Sequence, residues 1–249
     1  MTGQYGTAPC WLETDSPADA FPDVELALRE PDGLLAIGGD LAPARLLAAY
    51  RRGIFPWYGK DQPILWWAPD PRLVLIPARV HVARSLAKTL RRGKFSLSMD
   101  RAFDEVIRAC AEPRPDQSGT WITTEMISAY TGLHEAGHAH SVECWYRGEL
   151  AGGLYGISIG RIFFGESMFS RMADASKVAL ISLARQLVRW NFPLIDCQVR
   201  TAHLESLGAR PMPRTEFTRI LARETAQPAH PPQAWQFDAD LDAVQGGPG

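Results

Sequence analysis

The stretch from His140 to Phe169 constrains the fold of this chain more than any other. Three runs rich in β-formers, HSVECWY, ELAGGLYGISI and RIFFGESMF, follow one another with only Arg147-Gly148 and Gly160-Arg161 between them. Two-residue turns that carry glycine join antiparallel neighbours, so a three-stranded meander is expected. Downstream, Asp174 offers an N-cap for a helix reaching about Trp190, PLIDCQV reads as a buried strand, and HLESLG as a short helix. A meander, a crossover helix and a further strand make an α+β, mixed-sheet domain.

Upstream, LVLIP reads as a strand, and two amphipathic helices should follow it. Val82, Leu86 and Leu90 recur every four residues in the first. In the second, Asp100 is the expected N-cap, and Phe103, Val106, Ile107 and Cys110 form an i, i+3, i+4, i+7 stripe. A third helix should run from about Thr124 to Ala136 and end at Gly137, a residue suited to the left-handed cap. The first 72 residues read as a small loop-rich domain. Its one clear helix should start near Pro43, turn Leu46, Leu47 and Tyr50 inward, and stop at Gly53. Trp57, Trp66 and Trp67 lie among prolines, where they either pack a junction or face a ligand. The expected division is 1–72, 73–225, and a tail over 226–249 too poor in apolar residues to pack and therefore mobile.

A chain of 249 residues that is 46% hydrophobic can bury a good core. No apolar run approaches the roughly 20 residues that span a bilayer, and the N-terminus lacks a secretion signal, so a cytoplasmic protein is expected. The four cysteines form no CxxC pair, which argues for reduced thiols. With a net charge of −2, nucleic-acid binding would need a local patch. Arg84, Lys88, Arg91 and Arg92 supply one: a helix places them opposite Val82, Leu86 and Leu90. A merely solvated face reads the same way.

His134-Glu135-Ala136-Gly137-His138 fits HExxH, whose helical spacing would bring two histidines to a zinc ion. The expected helix stops at Gly137, however, which leaves His138 beyond the cap. No metal is expected.

The segments GLLAIGGDL, AAYRRGIFPWY, LWWAPDPR, GTWIT, HEAGHAHSVE, GGLYG, FFGESMFSR, DASKVAL, LIDCQV and HLESLGA together resemble the bacterial leucyl/phenylalanyl-tRNA–protein transferases, in order from about Phe21 to Phe217. The resemblance implies a small N-terminal domain joined to a C-terminal domain like the GNAT acyltransferases. It implies transfer of leucine, also phenylalanine or methionine, from charged tRNA to the α-amine of a protein beginning with Arg or Lys. The ester is already activated, so no cofactor is expected, and a monomer is.

By match to the family's motifs, Asp196 and Gln198 are implied to be catalytic; on a strand their i, i+2 spacing would point both to one face, with Cys197 turned into the core. Gln198 would orient the amine, and Asp196 would stabilise the ammonium that develops. Glu166 is implied to meet the acceptor's basic side chain, and Trp57 and Trp121 to stack on the terminal adenosine. Leu154, Phe163, Leu183 and Ile195 would line the aminoacyl pocket, while the turn from Asp174 to Lys177 would either meet phosphate or only cap its helix. After the zinc reading, an acetyl-CoA enzyme on the same fold is a second rival. It would need a glycine-rich turn where this chain reads SRMADASK. A tRNA-binding module without chemistry is another, but it leaves Glu166, Asp196 and Gln198 unexplained.

Overall fold

The computed structural model describes residues 6–113, 120–228 and 235–239. Near the N-terminus, β1 (Cys10–Leu12), β2 (Leu34–Gly38), β3 (Phe55–Pro56) and β4 (Leu65–Trp67) form a sheet in the order β1-β2-β4-β3. The part expected to be loop-rich thus carries a sheet of its own. Strands of two to five residues broken by glycine and proline are too short for an alternating pattern to be read. Helix α1 (Pro43–Arg51) packs on it with Leu46 and Tyr50 buried, as expected. From the same helix the buried Arg45 donates to the carbonyls of Ser16 and Pro17, at 2.9 and 3.2 Å, and pairs with Asp40. One guanidinium thereby fastens an irregular loop that has little apolar surface to hold it.

The chain then passes to a seven-stranded sheet made of β5 (Arg72–Leu75), β6 (Ser96–Met99), β7 (Ala139–Tyr146), β8 (Glu149–Ile159), β9 (Ile162–Ser170), β10 (Leu194–Asp196) and β11 (Arg210–Met212). Its order is β11-β5-β10-β9-β8-β7-β6, and every pairing is antiparallel except β9 with β10. β7, β8 and β9 are the expected meander, and the crossover helix and the strand β10 follow it in the expected order. Arg147 and Gly148, with φ of 53° and 82°, make the first turn in the backbone hand that two-residue hairpins favour.

The sheet is covered on both faces. Leu73, Leu75, Leu154, Phe163 and Ile195 join one core with α2 (Arg84–Arg91) and α5 (Ala175–Arg189). Val74, Tyr155, Phe164 and Leu194 join the other with α1, α3 (Phe103–Ala111), α4 (Thr124–Glu135) and α7 (Arg214–Thr225). The short α6 (Ala202–Ser206) follows β10. α7 has no counterpart in the sequence reading, although Phe217 and Leu221 are buried one turn apart in it.

Several expectations need correction. Asp100 does not cap α3: its φ of 56° turns the carboxylate to the Ser141 N–H, at 2.8 Å, and to His140 Nδ1, at 2.7 Å. Asp174 occupies the N-cap position of α5, but with φ of 71° it accepts from the Thr89 hydroxyl instead, and Ser170 Oγ takes the Ser176 N–H. In the tail, Trp235 is buried, with its ring stacked on His140 at 3.8 Å. One large aromatic ring is enough to seat a segment whose average composition is polar. Residues 229–234 and 240–249, where mobility was also expected, lie outside the described residues.

Candidate active site

A pocket of about 610 Å³ opens where β9 and β10 part. The two strands pair only from Ile162 to Phe164 and from Leu194 to Asp196; β9 then runs on to Ser170, whereas Gln198, with φ of 55°, ends the extended run after β10. Parallel strands that separate beyond their carboxyl ends leave a crevice, the usual place for a ligand in such sheets. Gly165, Glu166, Ser167 and Met168 form one side of it, and Cys197, Gln198 and Val199 the other.

Glu166 reaches the pocket through a β-bulge. Tyr155 pairs with Ser167 and Gly156 with Gly165, so Glu166 is the extra residue between them. A bulge redirects the side chain it carries, here towards the crevice. Tyr130 donates to Glu166 Oε2 at 3.1 Å, Gln198 Nε2 approaches Oε1 at 3.4 Å, and the Tyr50 and Tyr130 hydroxyls lie 2.5 Å apart. Burial pushes the Glu166 carboxyl up to about 7, against the hydrogen bonds from Tyr50 and Tyr130 that favour its ionised form. The same burial, together with the nearby Glu166 charge, holds both tyrosines well above their ordinary range.

Asp196 is not on the pocket wall. It is fully buried, with Arg72 Nε and Nη2 donating to its two oxygens at 2.8 and 2.7 Å, and Oδ1 also accepts the Gln198 N–H at 3.0 Å. The two-residue spacing does not place Asp196 and Gln198 side by side, because the left-handed backbone at Gln198 breaks the strand alternation. Cys197 is buried in the core as expected and, on the same strand face as Ile195, also borders the pocket. Burial, with Asp196 next to it, pushes the Cys197 thiol far up, which leaves it no character as a nucleophile. Arg72 itself lies between the Phe55 and Phe217 rings, 4.7 and 4.9 Å from their centroids, and donates to the Gly53 carbonyl. It was not singled out from the sequence, although an arginine opening the otherwise apolar run RLVL was a visible signal.

Trp57 and Trp121 both border the pocket. Trp57 is 41% exposed, and Trp67 meets it edge-on and donates its indole N–H to the Trp57 carbonyl at 2.7 Å. Leu154, Phe163 and Ile195 are among the residues that line the pocket. Leu183 is not: it is buried in the core on α5, and Leu180, one turn earlier, takes its place. Arg84, Lys88 and Arg91 on α2 and Arg92 at its C-cap are exposed, Leu86 and Leu90 of the same helix are buried, and none of the four cations borders the pocket. Lys177 lies 3.9 Å from Asp174 within its own turn.

The HExxH segment follows its expected geometry. α4 ends at Glu135, and Gly137 has φ of 76°, so His138 lies past the cap. His134 stacks on Phe103 and bonds the Ala139 carbonyl, while His140 is engaged by Asp100. Among the described residues no group of three His, Cys, Asp or Glu side chains is arranged to hold a metal. Nor, among them, is any helix long and apolar enough to cross a membrane.

A family model described as leucyl/phenylalanyl-tRNA protein transferase matches residues 74–222, and the model of its N-terminal domain matches 39–70. A leucyl/phenylalanyl-tRNA–protein transferase of Nitrosomonas europaea is 58% identical over 227 residues, 91% of this chain and 94% of its own. One from Aromatoleum aromaticum is 64% identical over 205 residues, 82% of this chain and 86% of its own. A GCN5-related N-acetyltransferase structure from Kribbella flavida aligns with 66% of this chain and 59% of its own at 11% identity and a TM-score of 0.34. With more than half its length matched by the family model and relatives well above half identical, the chain belongs to the leucyl/phenylalanyl-tRNA–protein transferase family.

Proposed function

We propose that this enzyme transfers leucine, and also phenylalanine or methionine, from charged tRNA to the α-amine of proteins that begin with Arg or Lys. The observation that carries this reading is the pocket itself: an apolar interior, two indoles at its border, and a carboxylate and an amide together on its wall. The amine nitrogen bonds to the ester carbonyl carbon, the carbon–oxygen bond to the terminal ribose breaks, and the amine's proton ends on the released hydroxyl. Trp57 and Trp121 hold the adenine by stacking. Leu154, Phe163, Leu180 and Ile195 receive the aminoacyl side chain, so the scissile ester faces Glu166 and Gln198.

Because Gln198 Nε2 is directed to Glu166, its amide oxygen is the group left to accept a hydrogen bond from the amine. Glu166 supplies the negative charge that a terminal Arg or Lys requires, and a cation beside it restores the ionised form that burial disfavours. Asp196 acts as a positioning residue: it holds the Gln198 backbone, and Arg72 holds Asp196. An α-amine with a reference pKa of about 8 is roughly one-tenth neutral at pH 7, so placement contributes more to the rate than proton abstraction. Arg84, Lys88, Arg91 and Arg92 meet the tRNA backbone. A monomer in the cytoplasm, where charged tRNA resides, fits this chemistry.

The test is transfer of labelled leucine from Leu-tRNA to a peptide beginning with Arg, beside a peptide beginning with Gly, acetyl-CoA as alternative donor, and a zinc chelator. Label on the Arg peptide alone, indifferent to chelator, is the expected result. Label from acetyl-CoA, or activity lost to the chelator, would overturn it.

A further inference from the structure

The C-terminal segment reaches the back of the same pocket. Phe163, one of the pocket's apolar residues, lies above Gly156, where a Cβ would come within 2.6 Å of its ring; the glycine leaves the space in which that ring sits. Gly156 pairs with His140 across β8 and β7, and the Trp235 indole stacks on the His140 imidazole at 3.8 Å, with 7° between the planes. From there Trp235 meets Phe163, their ring centroids 5.9 Å apart. Trp190 closes the other side at 5.0 Å. Phe163 is therefore held between the pocket and a tryptophan some seventy residues further along the chain.

Two polar contacts fix the segment that carries this tryptophan. The Asp238 N–H donates to the side-chain oxygen of the buried Gln186 at 2.9 Å, and Arg189 pairs with Asp238 at 2.8 Å, both partners lying on α5. His140 cannot swing away from the stack either, since Asp100 holds its Nδ1.

We infer that Trp235 is a specificity-determining residue: by backing Phe163 it sets the depth of the aminoacyl pocket and so the preference between the branched leucyl and the larger phenylalanyl side chain. The inference rests on the transfer reaction proposed above. Protein interiors are packed densely enough that a ring backed by another ring cannot recede, whereas a ring with a void behind it can. Differences of one or two methylenes in an apolar pocket discriminate substrates by roughly ten- to a hundredfold, so a modest change in depth is measurable.

The experiment compares kcat/KM for Phe-tRNA and Leu-tRNA, with the same Arg-initiated peptide, in the wild type, Trp235→Ala, Trp235→Phe and Asp238→Ala. Trp235→Ala is expected to raise the Phe-to-Leu ratio on the order of fivefold or more, Trp235→Phe to restore a ratio near that of the wild type, and Asp238→Ala to change it little. A role confined to stability would scale both substrates alike. An unchanged ratio in Trp235→Ala overturns the inference. Should that variant not fold, Trp235→Leu, which leaves a smaller void behind Phe163, takes its place, and an unchanged ratio in it would overturn the inference equally. Failure of the wild type to transfer either residue would instead sink the proposed function.

Discussion

The pair formed by Arg72 and Asp196 and the cationic face of α2 are both made of charge, yet they are opposite kinds of structure. Arg72 and Asp196 are 1% and 0% exposed, bidentate, and tied to four parts of the chain: Gly53, Phe55, Gln198 and Phe217. Arg84, Lys88, Arg91 and Arg92 are exposed, and only the apolar side of their helix is anchored. The difference teaches which charges can hold neighbouring residues in place and which can only act at a distance. A buried charge must be matched by a partner in place, so it transmits position; an exposed one is hydrated and screened, so it acts on whatever approaches.

The sharpest way to break this contrast is Asp196→Ala. Leaving Arg72 buried without its partner is expected to cost about 3–5 kcal/mol of stability and to abolish transfer while folded protein still binds tRNA. Gln198→Ala should lose transfer with little change in stability. Denaturant midpoints and single-turnover transfer measure the two, and equal destabilisation by both substitutions would end the distinction between positioning and contact. Next in size, Arg84→Glu with Lys88→Glu should weaken tRNA binding by about thirtyfold near physiological salt and flatten the slope of log affinity against log salt by about 2. Stability should hardly move. An unaltered salt slope would reduce the α2 face to a solvated surface.

The smallest effect sharpens the comparison from the pocket side. Glu166 has its folded pKa raised to about 7 from 4.5, so between those values the unfolded chain has lost the proton that the folded one keeps. Its contribution to stability is therefore complete below about pH 4.5, declines as pH rises, and is gone above about pH 7. Partial exposure reduces the size: relative to Glu166→Gln, the wild type should lose about 1 kcal/mol across that window. Denaturant unfolding from pH 4.5 to 8 measures it, and a constant difference between the two proteins would mean that Glu166 is already ionised throughout.

The parts of the fold that sequence patterns revealed are those governed by local rules. The meander was legible because Arg147-Gly148 and Gly160-Arg161 are turn chemistry, and α4 because Thr123 accepts the Met126 N–H at its start and Gly137 ends it. The strands from Cys10 to Trp67 were not legible, since two to five residues carry no period. Motif resemblance singled out Glu166, Gln198, Trp57 and Trp121, and all four border one pocket. It did not distinguish Leu180 from Leu183 or tell that Asp196 faces away, because both depend on which side of an element meets the crevice.

The chain's own order of residues determined which family it belongs to, where its strands turn, and which helices have an apolar face, because each of those follows from neighbours a few positions apart. Only the tertiary structure decided that a bulge turns Glu166 into the crevice, that a left-handed residue separates Gln198 from Asp196, and that Trp235 backs Phe163. Arg72 lies 124 residues from Asp196. Contacts across such separations are set by how sheets and helices close on one another, and no local pattern in the sequence records that closure.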